Sequence, residues 1–471
     1  MVVADFLGEY AQYSQYAASA LLAIPTLAFA WHALVVRRTY EDEPPLVAGW
    51  IPWLGAGLQM RDMEKFAVKN YKRHGHTFTA YAAGRRFVFS QDLAVHKSVV
   101  GSKNFGANQL MVEIQLRFLG AARPTTKEEE AACVPTLHTQ LAGRPLAHLR
   151  TAFLEYLLES IDAYKDLGVV ELIPLVRETI FICTLRAIFG RNFPAKEALE
   201  PFDAWDRGLQ NLISGKKDAA AVDGRDRLAK IVGDYLRDNI LETEPVIQGQ
   251  WNNLERLGTP FDQRVKYVAL GFLWAAAANV APVTSWAMAF VYNDPALTAL
   301  LRSELAAADK SLELEAMYEH GAPSAQWVAQ EAIRLTMLGS IVRPAAATTT
   351  IESTFGPVKV RKGDLMMCTS WSMHRRFENP EEFIWDRLKP VPGEDIHDQL
   401  YMAFGGGLRP CVGKSFAYTE IKMMTLAMLE RYDVEPVNPF PKLVKTDRIG
   451  VGTMEPSHQW KVKLVPRSSP L

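Results

Sequence analysis

The chain has 471 residues, 48% of them hydrophobic and 22% charged, with 52 Lys and Arg against 53 Asp and Glu for a formal net charge of −1. That length can bury a large core, and the balanced charge excludes nucleic acid as a partner drawn by overall field, so any basic surface must be local. The four cysteines, Cys133, Cys183, Cys368 and Cys411, form no CxxC pair, which argues against a zinc module or a disulfide framework.

In chain order, the first element is apolar. No charged residue occurs from Tyr10 to Val36, a run long enough to span a bilayer. Asp5 and Glu9 precede it and Arg37 and Arg38 follow it, so the positive-inside rule places the bulk of the chain in the cytosol. Ala28-Phe29-Ala30 resembles a signal-peptide cleavage site, but the first nine residues carry no Lys or Arg. Residues 1–38 are therefore read as an uncleaved membrane anchor. Residues 39–60, with EDEPPLVAGWIPWLGAG, read as a Pro/Gly hinge in which no helix can continue. No flexible linker follows, so residues 61–471 are expected to form one large domain.

HGHTFTAYAAGRRFVFS (74–90) predicts a β-hairpin turning at Gly84. From about 145 to 240 the apolar residues recur three and four apart, which predicts helices. A second β-prone patch, ATTTIESTFGPVKVRKGDLMMCTS, has turn positions at Gly356-Pro357 and Lys362-Gly363. Between them lie 27 uncharged residues, 267–293. Length alone admits a second membrane span there. Burial on all sides in a soluble core explains the same pattern, and Asn279 and Pro282 suit a cavity better than lipid.

FGGGLRPCVG (404–413) sets a cysteine among four glycines, two residues after an arginine. The following Lys414-Ser415 suggests a phosphate-binding Walker A loop, but Gly407 and Gly413 enclose five residues instead of four and no apolar strand precedes. A lone cysteine is most often an inert buried thiol. A metal-binding thiolate also fits: the glycines let a flat ligand approach the backbone, and a helix begins after Cys411, whose N-terminal N–H groups and dipole favour an anionic sulfur. Arg409 offers a fork suited to a carboxylate.

Phe404-x-x-Gly407-x-Arg409-x-Cys411-x-Gly413 closely resembles the haem-binding signature of the cytochrome P450 family, with every fixed position present. Glu331-Ala-Ile-Arg334 resembles the family's ExxR motif, its two charges sharing a helix face. HRRFENPEEFIWDRL (374–388) resembles the segment that supplies a second arginine to that motif, here Arg387. The usual Pro-Glu-Arg-Phe core is altered to Trp385-Asp386-Arg387-Leu388. The resemblance implies a mainly α fold with small β-sheets, the cytochrome P450 fold. It implies haem b, iron protoporphyrin IX, as cofactor, and Cys411 as its metal ligand. Arg409 and Arg343 would meet the propionates, Phe404, Gly407 and Gly413 would pack at the haem, and Glu331, Arg334 and Arg387 would form a structural network. Residues 267–293 become the family's central helix.

One departure is informative. The family's usual acid–alcohol pair on that helix delivers protons for dioxygen activation, whereas here Ala281 and Pro282 stand at those positions. LWAAAANVAPVTSW (273–286) instead resembles the helix of the cholesterol 7α-hydroxylase, sterol 12α-hydroxylase and prostacyclin synthase group. That likeness nominates Asn279 as the distal polar group, with Thr284 as a second candidate. The resemblance implies a monooxygenase oxidising a bulky apolar small molecule such as a sterol, terpenoid or other lipid. Electrons would come from NADPH-cytochrome P450 reductase, with cytochrome b5 an additional candidate donor, and Lys414 and Lys422 would give the proximal side basic character. The expected location is the endoplasmic reticulum membrane, single-pass, with the catalytic domain cytosolic. Alternatives are a haem-thiolate isomerase or lyase acting on a lipid peroxide, a non-catalytic haem or lipid carrier and, more distantly, a transporter with two spans.

Overall fold

The computed structural model describes residues 23–106, 112–213, 215–393, 401–408, 410–444 and 452–468. They divide into two compact units: Met1–Ala107 with Ile341–Ser372, and Asn108–Ser340 with Met373–Leu471.

The first unit opens with α1, Ala23–Val36, the described part of the expected anchor. Ile24, Leu27, Phe29, Trp31, Leu34 and Val35 on it are all exposed. A mixed sheet follows, built from β1 (Leu46–Val47), β2 (Thr77–Ala82), β3 (Arg85–Ser90), β4 (Ile341–Pro344) and, beyond a small hairpin of β5 (Thr349–Ile351) and β6 (Val358–Val360), β7 (Leu365–Cys368). The strand order is β1-β2-β3-β7-β4. β2 and β3 pair antiparallel, Thr79 opposite Val88, as the sequence predicts. The two residues between them, Ala83 and Gly84, have φ of 51° and 76°. Two successive left-handed residues make the tight turn whose twist matches the strands, which is why glycine stands there. The helix Met63–His74, capped by Asp62, closes one face of the sheet through Phe66, Phe78 and Phe89.

The second unit is helical, with a three-stranded antiparallel sheet of Val169–Glu171, Lys461–Pro466 and Tyr432–Pro436. Its site-bearing helices are α2 (Gly143–Asp162), α3 (Leu172–Phe189), α4 (Gly271–Ala277), α5 (Val280–Tyr292), α6 (Ser324–Thr336) and α7 (Lys414–Arg431). α5 packs against α3, α6 and α7, and α7 also packs against α2 and α6. Every residue from Val283 to Val291 is buried. The uncharged run 267–293 is therefore a core helix, apolar all round because protein surrounds it. The two-span transporter reading loses its second span.

The central helix is not continuous. A π-helical turn, Val265–Leu270, precedes α4, and helical bonding stops after the Ala278 N–H donates to Trp274 O at 3.0 Å. Asn279, at φ −109° and ψ −36°, caps the restart at Val280. Pro282 falls in the first turn of α5, where a missing N–H costs no intrahelical bond.

Candidate active site

The cysteine loop is closed by the Cys411 N–H, which donates to Phe404 O at 2.9 Å. Gly405 and Gly407 have φ of 69° and 64°, a left-handed backbone that a side chain would strain. Gly413 is the N-cap of α7. Among the described residues, its chain neighbours aside, a Cβ built on it would meet only the Cys411 sulfur, at 3.9 Å. The sulfur accepts backbone N–H groups of Gly413 and Lys414 at the helix N-terminus. Its pKa is nonetheless raised. Packed protein behind the sulfur makes desolvation the largest influence, and the two N–H groups and the Lys414 charge pull the other way. The residue is still exposed on its outer side. Without a partner cation this thiol stays protonated; with one it is a prepared thiolate. The Phe404 ring meets Tyr418 edge-on at 5.1 Å. Arg409 lies outside the described residues.

On the central helix, Ala275 and Asn279 are exposed, and Phe272, Ala276 and Pro282 are half-buried. These positions recur at three and four residues and so form one stripe, which holds the two exposed residues, while Tyr267, Gly271 and Trp274 on the same segment are also half-buried. The Asn279 side chain makes no capping hydrogen bond, which leaves its amide available on that stripe. Thr284 is placed elsewhere: it is buried, and its hydroxyl donates back to Val280 O at 2.8 Å. The structure does not bring Thr284 to the open face.

Glu331, Arg334 and Arg387 are brought together. Arg334 donates from Nε and Nη2 to the two Glu331 oxygens at 2.6 and 2.8 Å. Arg387 Nε donates to Glu331 Oε1 at 3.0 Å, and the Ile384 N–H reaches the same oxygen at 3.1 Å. Glu331 is 0% exposed and Arg334 1%, so the charges depend on one another and on carbonyls for solvation. Arg334 also donates to His374 O, Pro380 O and Glu382 O.

Three contacts that join this network and α7 to the residues leading into the cysteine loop escape sequence reasoning. The Met402 N–H donates to His374 Nε2 at 3.3 Å, and the His374 ring stacks on Tyr401 at 5.4 Å. The Tyr418 hydroxyl donates to that of Tyr401 at 3.3 Å. His374 was visible only as the first letter of HRRFENP. Arg343 is on β4 of the first unit, opposite Met366 of β7, and donates to its neighbour Val342 O. Lys422 corrects an expectation: it is buried in an ion pair with Glu319 at 2.7 Å, so it is not surface charge. Lys414 remains exposed.

Residues 245–462 match the family model for cytochrome P450. The 24-hydroxycholesterol 7-alpha-hydroxylase of Mus musculus is 24% identical over 464 residues, covering 90% of this chain and 93% of that one. Prostacyclin synthase of Bos taurus is 24% identical over 475 residues, covering 89% and 93%. Among solved structures, the retinoic acid-bound cyanobacterial CYP120A1 superposes with a TM-score of 0.72 at 18% identity, over 90% of this chain and all of that one, a likeness of fold.

A mainly helical fold that opens a glycine-rich cysteine loop at a helix N-terminus defines a haem-thiolate protein. Residues 245–462 of this chain carry the cytochrome P450 family domain, with haem b as its cofactor and monooxygenation as its class of reaction. The residues present fit that cofactor. A sulfur that accepts two N–H groups at a helix N-terminus, the room for a Cβ at Gly413 and the exposed positions of a largely buried helix are what a flat, iron-bearing ligand requires.

Proposed function

We propose that the chain hydroxylates a sterol, or a lipid of comparable bulk, at the endoplasmic reticulum membrane, with α1 in the bilayer and electrons from NADPH-cytochrome P450 reductase. The observation that carries this reading is the open stripe of the central helix. It presents Phe272, Ala275, Ala276 and Pro282 to a ligand and a single amide, Asn279. An apolar face with one hydrogen-bonding group suits a large hydrocarbon bearing few polar atoms. The relative named for 7-alpha-hydroxylation of 24-hydroxycholesterol supports the same class.

In this reading Cys411 would hold the haem iron, Arg409 and Arg343 would meet the propionates, and Phe404, which packs on Tyr418, would lie at the haem. Bound haem supplies the activation of dioxygen, with one oxygen entering a C–H bond and the other leaving as water. Gly413 and Lys414 hold the sulfur through their N–H groups and temper its basicity. Asn279 can donate and accept a hydrogen bond but cannot ionise. It therefore orients a water or a substrate hydroxyl at the open face without itself being the acid. The buried triad keeps the loop in register through His374 and Met402.

The test is turnover of the full chain, supplied with haem, over a panel of sterols with reductase, NADPH and oxygen. A hydroxylated product formed only when all three are present is the expected result. Rearrangement of a lipid peroxide without electrons would establish the isomerase reading that prostacyclin synthase suggests, and recovery of every sterol unchanged would leave a carrier. Asn279→Ala should keep haem content and lower turnover or shift the position attacked; unchanged kinetics would assign Asn279 to packing alone.

A further inference from the structure

Two indole N–H groups are exchanged between three segments of the second unit. Trp205, near the end of the helix Ala195–Arg207, donates its N–H to Phe118 O at 3.1 Å and stacks on the Phe118 ring at 4.4 Å. Trp274 on α4 meets the same ring edge-on at 5.1 Å and donates its own N–H to Asp206 Oδ1 at 2.9 Å. Phe118 and Trp205 are 0% exposed and Asp206 2%, so the clamp lies inside the protein. Of the four residues only Trp274 is half-buried. An indole needs one acceptor, and a backbone carbonyl serves that purpose for Trp205. For Trp274 the fold instead buries a carboxyl, a group that loses much more hydration.

The helix that carries Asp206 is a firm base. It packs against the helix Ala219–Asn239 through glycines: a Cβ on Gly224 would stand 2.7 Å from Pro201 O, and one on Gly208 2.1 Å from the Ala221 Cβ. From that second helix Arg225 lies against Gly120, just beyond Phe118, where a Cβ would stand 2.5 Å from Arg225 Cζ. Asp226 beside it meets Lys266, ahead of α4, at 3.5 Å. The indole held by this base borders the stripe. Trp274 directly precedes exposed Ala275 and follows half-buried Phe272 by two residues. With its N–H engaged by Asp206, the surface the ring has left to offer is hydrocarbon.

We propose that Asp206 is a positioning residue for the substrate: by holding the Trp274 N–H it fixes the indole as an apolar wall beside the stripe that carries Asn279, and so sets which carbon is presented for attack. This rests on the sterol reading of that stripe given above. An indole free to turn would adapt to whatever lay against it, whereas one pinned at its nitrogen and packed on Phe118 imposes its plane on the ligand. A bulky, rigid hydrocarbon has few ways around a fixed plane, and a small displacement moves a different carbon to the reacting position. The hydrogen bond therefore governs the position oxidised as well as the affinity.

The experiment uses the full-length haem-loaded chain in detergent, with cholesterol and 24-hydroxycholesterol as probes. Asp206→Leu, Asp206→Asn, Trp274→Phe and the double variant Asp206→Leu with Trp274→Phe are compared in three ways. These are the sterol-induced Soret shift, the ratio of hydroxylation positions with reductase, NADPH and oxygen, and the indole N–H resonance that Trp274→Phe removes, recorded in the ferrous carbon monoxide form. Asp206→Leu should move that resonance, weaken sterol binding several-fold and redistribute the products. Trp274→Phe, which keeps a ring without the donor, should redistribute them too, and the double variant should be no worse than either. Asp206→Asn keeps an acceptor and should restore binding and product ratio to the parental values. Parental binding and products in Asp206→Leu and Trp274→Phe, or additive losses in the double variant, overturn the proposal. So does Asp206→Asn behaving like Asp206→Leu, because charge and not the hydrogen bond would then matter. If Asp206→Leu takes up no haem, Trp274→Phe and Asp206→Asn decide by the same criteria. A parent that binds neither sterol overturns the sterol reading itself.

Discussion

Replacing Arg334 by Met should cost far more than the same change at Arg387, although both arginines touch Glu331. Glu331 receives four donors: Nε and Nη2 of Arg334, Nε of Arg387 and the Ile384 N–H. Removing Arg387 leaves three of them, including the bidentate pair. Removing Arg334 leaves two, and strips donors from His374 O, Pro380 O and Glu382 O as well. With Glu331 fully buried, Arg334→Met breaks a buried ion pair from one side, about 3–5 kcal/mol. Arg387→Met removes one charge-assisted bond and some carbonyl contacts, about 1–3 kcal/mol. Domain stabilities run to about 5–15 kcal/mol, so the first variant should approach the limit of folding and the second should not. Urea denaturation of the full chain in detergent, followed by both the haem Soret band and far-ultraviolet circular dichroism, measures the difference. The Soret loss in Arg334→Met should precede the loss of helix, because the His374 O and Met402 N–H links run from this network to the cysteine loop. Equal midpoints for the two variants, or an Arg334→Met midpoint at the parental value, would refute the argument that Arg334 is the keystone.

Two further outcomes are expected. Cys411→Ala should abolish the long-wavelength Soret shift on carbon monoxide binding to the reduced protein, a shift the family owes to its thiolate ligand, and an unchanged spectrum would contradict the ligand assignment. Glu420, fully enclosed on α7 with the Thr184 hydroxyl as its donor, has its pKa pushed well up by burial. A carboxyl whose folded pKa lies above its unfolded one binds more protons when folded, so its contribution is complete below the unfolded pKa and is lost as pH rises. Glu420→Gln should therefore be at least as stable as the parent at neutral pH, with its advantage shrinking as pH falls toward 4.5, and an advantage that grows on acidification would contradict a neutral Glu420.

Legibility in the sequence followed the range of the contacts involved. The cysteine loop could be read because its requirements are local: left-handed backbone at Gly405 and Gly407, and a helix N-terminus beside Cys411. The hairpin at Gly84 was equally local. Glu331 and Arg334 lie one turn apart, so their pairing was a matter of helix geometry, whereas Arg387 entered only through a partial resemblance. Lys422 was misread because its partner, Glu319, is 103 residues away, and nothing in the pattern of α7 announces an acid arriving from another helix. The contacts of segment 39–60 were hidden for the same reason: its Glu43–Arg361 pair spans 318 residues.

The central helix shows the limit most clearly. Its burial is a property of α3, α6 and α7, so no count of its own apolar residues could choose between lipid and core. The break in it was not anticipated either. Proline is best tolerated in the first turn of a helix, and α5 restarts just before Pro282 with Asn279 as its N-cap, the side chain making no capping hydrogen bond. An amide freed in this way at an exposed step of a buried helix has no packing reason to be there. The acid–alcohol pair and this Pro-dependent amide are thus different solutions to the geometry of one helix turn. The second places a group that orients but cannot ionise. On the proposed reading the protons for oxygen activation would arrive through water at that step, which makes the Asn279→Ala experiment informative about mechanism as well as about substrate.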